Sequence, residues 1–497
     1  MPKSNEYLLP TAILFFLFNL LVSNDYTTLW DGAESLLAWR ALHGEAGFTL
    51  HEQLMALPLA GASDIPHLIL RLPSGLVLLL GLPLFYWMVK PLFGKALSEN
   101  ILLLAVSSLL VTNLAKVAAG DVWSLSLQWL SLGALLRYLK QPRLSWQLAF
   151  YFCFALAIWV QPLNSLIFIL GTAAYLYFVH PDGKRLWRLN PWVMGGVALA
   201  LGYTAQWVVF SQHSFYLGFR TGPFLLANLI GILPFLGFAL AGIWESIVQA
   251  RKGEELSIIF LGSLTFALIA HAPALQLVLV MLAAKQLKSA FLPNYPHRNI
   301  VLAGALLQLV AAACGLIIFM MGIFVEFRGV GYRAALAAGG IYWMFCFVGV
   351  VGYLGRRELY ARIGVIFSGL LFTGLFWLQL NPLLESQRNW VQRMPAESLE
   401  QPSVEAATTC VILPPDDYTF FNLPAYAKTV FENTVILDNT AQLEATLEEK
   451  GEALFFLPER RVDTTTMAMQ PQIDSIRYQG WTSSLRKVEY LRLLPSK

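Results

Sequence analysis

Two aspartates and a lysine are the residues from which this sequence could build proton-transfer chemistry. Asp31 opens the charged stretch "DGAESLLAWRALHGE" directly after the first apolar run, and Lys116 and Asp121 share "AKVAAGDVWSL" at 115–125. Carboxylates at the mouth of apolar spans, facing one cavity with a lysine, can accept the proton of an attacking hydroxyl. The bland alternative is capping, since an aspartate at a helix start satisfies backbone N–H groups that lack partners there. For Asp121 both readings stay open. The other acids of the first loop, Asp25, Glu45, Glu52 and Asp64, read as ordinary solvated residues beside helices.

The frame that must hold these groups is a membrane. With 57% hydrophobic and 13% charged residues in 497, and a mean hydropathy of +0.58, the chain lies far from the composition of a soluble globule. Runs able to cross about 30 Å of hydrocarbon occur at 8–23, 68–89, 97–115, 121–138, 146–162, 163–180, 191–211, 223–247, 300–325, 334–354 and 363–380. The segment 256–284 is broken by Pro273 in "AHAPAL" and reads as a short hairpin, which gives thirteen spans. That count puts 17 basic residues on one side, from Lys3 through Lys90, Arg137, Lys184, Arg251 and Lys285 to Arg362. Six remain on the other, namely Arg40, Arg71, Lys116, Arg220, Arg328 and Arg333. The asymmetry predicts a cytoplasmic N-terminus and an external C-terminus in a bacterial-type inner membrane. Residues 8–22 resemble a signal-peptide core, but no small-residue cleavage site follows, so a retained first helix is expected. Cys153, Cys314, Cys346 and Cys410 are too scattered to suggest a disulfide framework or a thiolate metal site.

The fold class is therefore a polytopic α-helical membrane protein with a C-terminal soluble α/β domain. Residues 1–384 form the transmembrane part, including the external loop 24–67, where "GAESLLAWRALHG" has the spacing of an amphipathic surface helix ending at Gly44. Residues 385–497 hold 16 acids against 11 bases. Strand-like runs at 409–414, 434–439, 453–459 and 488–494 alternate with helical stretches, which predicts a parallel α/β layer. No glycine-rich phosphate loop follows any of them. Asp416 and Asp417 in "PPDDY" read as a strand-to-helix turn. The tryptophans and tyrosines near span ends read as interfacial anchors, and the glycines of "AAGG" at 337–340 as points of close helix packing. A transporter would need ionisable residues inside spans and repeat symmetry, and neither is visible.

The order of the charged loop, then "IPHLILRLPSGLVLLLGLPLFYWMVKPLFG", then "NLAKVAAGDVWSLSLQWLSLGALLRYLKQPRLSW" resembles the GT-C glycosyltransferases of the protein O-mannosyltransferase and aminoarabinose-transferase type. The "RLPS" at 71–74, the "LFG" at 92–94, Asp121 and the thirteen-span layout carry the likeness. It is good over about the first 180 residues and mainly topological beyond them. The resemblance implies a sugar donor on a polyprenyl phosphate, membrane lipids as surroundings, and an acceptor outside the cytoplasm. It implies Asp31 as the base and Asp121 as its partner. "FSQHSFYLGFRTGP" at 210–223 falls where that family carries a histidine and an arginine, and "TFALIAHAPAL" at 265–275 resembles its short external turn.

The departures fall on the donor phosphate. Gly32 follows Asp31 where relatives have a glutamate, Glu34 stands where an arginine is usual, and the Lys-Pro-Pro-Leu segment is absent. Gln161 replaces a lysine and Phe266 a tyrosine. Charge on a departing phosphate needs Arg, Lys or a metal, so this is a degenerate phosphate site in which Arg220, Lys116 and Arg40 are the remaining cations. A divalent cation held by Glu34, with His51 or His213, would offset the missing charge. Two function classes follow: an active transferase, or a GT-C scaffold or lipid-binding subunit of an envelope complex without transfer chemistry. Protein partners would meet the C-terminal domain, and nucleic acid is not an expected partner.

Overall fold

The computed structural model describes residues 7–21, 54, 67–117, 120–190, 221–326, 329, 331–382, 409–412, 434–437, 442, 453–458, 477–481 and 487–493. Among the described residues, most apolar runs of the sequence become helices with bounds within a few residues of those expected. They are α1 (Leu8–Leu21), α2 (His67–Phe93), α3 (Lys95–Ser107), α4 (Leu109–Leu114), α5 (Gly120–Lys140), α6 (Leu144–Val160) and α7 (Pro162–Val179). After a short 3-10 turn at Gly183–Leu189 come α8 (Thr221–Gly231), α9 (Leu236–Ala250), α10 (Glu255–Ile269) and α11 (Leu275–Ser289). Then follow α12 (Arg298–Glu326), α13 (Tyr332–Leu354) and α14 (Glu358–Leu375), which runs on into a π turn at Phe376–Leu380.

Among the described residues, six stretches are long and apolar enough to cross a bilayer: Arg71–Phe93, Pro162–Val179, Leu233–Ala250, Arg298–Val325, Tyr332–Leu354 and Glu358–Leu380. Leu144–Val160 and both arms of the 256–284 hairpin are shorter apolar helices. The hairpin itself is present, with Ala270–Ala274 as its turn. The 191–211 run lies outside the described residues.

Two runs that read as single spans are broken, and each break has a partner. The 97–115 run stops at Ser108, whose extended backbone separates α3 from α4. The Ser108 hydroxyl donates to the Gly231 carbonyl at 3.1 Å and accepts from the Gln276 amide at 2.7 Å. The 223–247 run breaks at the 3-10 turn Leu233–Phe235, which contains Pro234. Non-helical backbone is tolerated at membrane depth where protein groups satisfy it, and here the Ser108 hydroxyl satisfies the last carbonyl of α8 while accepting the Val111 N–H of α4.

The core is built around α5, which is buried over its whole length from Gly120 to Leu139. It packs on α2, α6 and α7. A helix covered on every side belongs to the interior of a bundle. Close helix approach is clearest between α13 and α14, where a Cβ on Gly364 would lie 2.4 Å from the Gly349 Cα. Of the "AAGG" glycines, Gly339 meets Leu316 of α12, whereas Gly340 faces open space.

The tail forms a five-stranded sheet of β1 (Thr409–Ile412), β2 (Thr434–Ile436), β3 (Ala453–Pro458), β4 (Arg477–Trp481) and β5 (Lys487–Leu493). The order is β2-β1-β3-β5-β4. All four strand-like runs are strands, and β1 pairs in parallel with β2 and β3. The purely parallel layer is corrected at one edge, where β5 runs antiparallel to both β3 and β4. The extra strand β4 forms a hairpin with β5 across a five-residue connection, 482–486, and a short connection permits only antiparallel pairing. Asp416, Asp417 and the surface helix expected within 32–44 of the first loop lie outside the described residues.

Candidate active site

Asp121 sits in the first turn of α5, where aligned peptide dipoles favour a negative charge. It is 3% exposed, and its Oδ1 accepts a hydrogen bond of 2.8 Å from Gln161 Nε2. Gln161 is the residue that starts α7, and its own Oε1 is buried without a hydrogen-bond partner. An ionised carboxylate only accepts, which fixes the amide nitrogen toward Asp121 and leaves the amide oxygen as a second acceptor beside it.

A polar row runs down α5 from Asp121 at helical spacing, through Ser124, Gln128 and Ser131, all buried. Gln128 Nε2 donates to Ser124 at 2.9 Å and to Ser165 of α7 at 3.0 Å, and Ser165 donates to the Ala157 carbonyl of α6. Gln128 Oε1 accepts from the Ala274 backbone N–H in the hairpin turn at 3.1 Å. One glutamine thus ties α5, α7 and the α10–α11 turn together just below the carboxylate. Above it, Leu54, a residue of the first loop, packs against the cluster of Trp123, Leu127, Ala157 and Val160.

Lys116 lies in the turn that closes α4. Its ammonium group donates to the Asn19 carbonyl of α1 and lies 5.2 Å from the Trp377 ring centre. The Arg71 guanidinium of α2 approaches the same ring at 5.6 Å. Both cations are buried, Arg71 at 6% and Lys116 at 4% exposure. Burial first, and then repulsion from Arg71, push the Lys116 ammonium down to about 7. Trp377 belongs to the π turn, a rare geometry that recurs at functional sites. Its indole N–H donates to Asn113 Oδ1 at 2.6 Å. Asn19 in turn donates to the Leu370 carbonyl, so α1, α4 and α14 hold this group from three directions.

The structure therefore joins Asp121 to Gln161 and gathers Lys116 with Arg71 and Trp377. Phe266 packs against Gly171 at the crossing of α7 and α10, where a Cβ on the glycine would lie 2.1 Å from the ring. Asp31, Glu34, Arg40, His51, His213 and Arg220 lie outside the described residues. Thr221, which follows Arg220, has its hydroxyl 3.3 Å from His271 Nε2 in the hairpin turn. Among the described residues no three His, Cys, Asp or Glu side chains come together.

Five of the basic loops, around residues 140, 185, 254, 285–298 and 353–357, meet one another at the far end of the bundle. Lys140 pairs with Glu255, Arg185 donates to the Leu139 carbonyl, Lys285 pairs with Glu254, and Phe291 stacks on Tyr353.

No family model matches this sequence, and no curated protein matches it either. Solved structures do. The crystal structure of ArnT from Cupriavidus metallidurans in the apo state superposes with a TM-score of 0.67 over 98% of this chain and 97% of its own, at 13% identity. The same protein bound to undecaprenyl phosphate gives a TM-score of 0.64 over 99% and 98%, at 15% identity. The chain has the GT-C fold. At such low identity the likeness is one of architecture, and it extends along the whole chain, including the part beyond residue 180 where the sequence is alike mainly by topology.

Sequence reasoning counted Arg71 as a loop charge and as part of the "RLPS" likeness without placing it beside Lys116, and grouped the tryptophans as interfacial anchors. Trp377 is 3% exposed and packs on two cations instead. The signal for Arg71 was available, since "LILRLPSG" carries an arginine at the edge of a long apolar run. The row Asp121, Ser124, Gln128, Ser131 was equally visible as a polar stripe in a span.

Proposed function

We propose that this protein is an integral-membrane glycosyltransferase that takes a sugar from a polyprenyl-phosphate-linked donor and passes it to an acceptor outside the cytoplasm. The observation that carries this reading is a pair of buried cations, Arg71 and Lys116, on one tryptophan, at the end of a GT-C bundle that also bears the buried carboxylate of Asp121. A GT-C protein of the same architecture binds undecaprenyl phosphate.

In the proposed reaction the acceptor hydroxyl gives its proton to a carboxylate, Asp31 with Asp121 as its partner. The hydroxyl oxygen attacks the anomeric carbon, and the bond from that carbon to the phosphate oxygen breaks. The charge left on the lipid phosphate is met by Arg71 and Lys116, with Arg220 and Arg40 as further cations. The unpaired Gln161 Oε1 would accept a hydrogen bond from the bound acceptor. A divalent cation on Glu34, with His51 or His213, belongs to this proposal as an optional clamp. The basic end faces the cytoplasm, thirteen spans cross the membrane, and residues 385–497 lie outside with the acceptor or a protein partner.

One observation favours the second reading, a GT-C scaffold that binds lipid without transfer. Gln161, where relatives carry a lysine, is neutral and occupies the Asp121 carboxylate.

The test is undecaprenyl phosphate binding by the purified protein in nanodiscs, followed by sugar transfer from polyprenyl lipids extracted from its native membrane. Arg71→Gln and Lys116→Gln should each weaken lipid binding by about tenfold or more. Asp121→Asn should bind normally and lose about 10²–10⁴ in rate. Absence of lipid binding by the unaltered protein overturns both readings. Binding without any transfer by the unaltered protein leaves the scaffold.

A further inference from the structure

The opposite end of the bundle holds a concave site for which the transfer reaction has no use. It lies between the α11–α12 connection and the α13–α14 turn, a small concavity of about 30 Å³. Its walls are apolar, chiefly Phe291, Leu302 and Tyr353, and two arginines, Arg298 and Arg356, stand at it. Phe291 and Tyr353 stack at 6.1 Å with their planes 9° apart.

Several cations at this end of the bundle are matched, and Arg357, next to Arg356, lies over the Tyr360 ring. Lys140 pairs with Glu255, Arg185 with Asp182, Lys285 with Glu254 and Arg362 with Glu358. Arg298 and Arg356 have no ion pair among the described residues, and both line the same cavity. Arg356 is also held at a φ of 51°, left-handed backbone that a non-glycine residue adopts at the expense of strain. Its position is fixed by the turn bonds Arg356 N–H to Tyr353 O and Arg357 N–H to Gly352 O. A surface that stacks an aromatic wall, leaves two guanidinium groups unmatched and strains the backbone at one of them is complementary to a compact anion.

We propose that this cavity binds the headgroup phosphate of an anionic phospholipid from the leaflet on the basic side of the membrane. Leu292 and Leu354 beside it are 62% and 58% exposed, an apolar path for acyl chains that a free phosphate ion would not need. Pockets of basic residues between membrane helices recognise lipid headgroups in this way, through paired charge and hydrogen bonds on one phosphate.

The experiment is native mass spectrometry of the full chain released from nanodiscs of phosphatidylglycerol mixed with phosphatidylcholine. One phosphatidylglycerol retained per chain is the expected result, with Arg298→Gln and Arg356→Gly each weakening retention by about tenfold and phosphatidylcholine unaffected. Glycine accepts the left-handed backbone, so Arg356→Gly removes the charge while easing the turn, and it reads the site even if Arg298→Gln fails to fold. Arg71→Gln, at the other end, should leave phosphatidylglycerol retention intact. Equal retention by the unaltered protein and Arg356→Gly overturns the proposal. So does displacement of the lipid by inorganic phosphate alone, which would mark a free-anion site.

Discussion

Lys116 is a lysine whose charge depends on what lies beside it. Burial, with Arg71 adding repulsion, holds its ammonium at about 7 against an ordinary 10.5. The amine is therefore mostly charged at pH 6 and mostly neutral at pH 8. A lipid phosphate favours the charged form, so binding above pH 7 must take up a proton, and affinity should fall by up to about tenfold per pH unit there. Lys116→Arg should flatten the profile between pH 6 and 8, and titration calorimetry in two buffers of different ionisation enthalpy should show the proton uptake vanish. A profile equally steep in Lys116→Arg would assign the titration to another group. Asp121 and Lys116 could be found from sequence because charge at the end of an apolar run is conspicuous. Trp377 could not, because an interfacial anchor and a buried cation platform use the same residue near the same helix end. Asp31 lies outside the described residues, so its partnership with Asp121 stays part of the proposal.

Helix α5 shows why the elements were more legible than their interruptions. Apolar runs, prolines and glycines gave the helices to within a few residues, and Pro273 marked the hairpin, because hydrocarbon demands length and satisfied backbone. The break at Ser108 left no such mark, since serine is at home in a membrane helix and only the fold shows its hydroxyl capping the Val111 N–H and bonding the distant groups of Gly231 and Gln276. Gln128 plays a comparable part for the site. Replacing it with leucine would keep the volume and remove three bonds, leaving the Ala274 N–H to find a new acceptor while the Ser165 hydroxyl keeps the Ala157 carbonyl. Polar contacts between membrane helices are individually modest, so Gln128→Leu should cost about 1–2 kcal/mol. A melt in detergent should record the lower midpoint, and transfer should fall further than stability does, because the hairpin turn and Asp121 would no longer share a support. An unchanged melt together with unchanged transfer would show that the glutamine is only space-filling.

For the whole molecule, charge sidedness carried more information than any motif. The sequence separated 17 basic residues from six, and the folded chain gathers the loops of the first set at one end through Lys140–Glu255, Lys285–Glu254 and the Phe291–Tyr353 stack. Strand direction in the tail was less readable, because a run such as "VEYLRLL" has the same composition in either direction and only the short β4–β5 connection forces it to reverse. The sidedness has a direct check. Helix α13 runs 23 residues from Tyr332 to Leu354, roughly 34 Å of rise, so Arg333 and Arg357 lie at opposite ends of the bundle. In a background with the four native cysteines replaced, Arg333→Cys and Thr221→Cys should react with a membrane-impermeant maleimide in intact cells. Lys252→Cys and Arg357→Cys should react only after permeabilisation, since positively charged loops are retained in the cytoplasm. Reaction of Arg357→Cys in intact cells would invert the orientation and carry the carboxylate and its cations to the cytoplasmic face, where an acceptor outside the cytoplasm could not reach them. Reaction of positions 333 and 357 from the same side would instead refute α13 as a span.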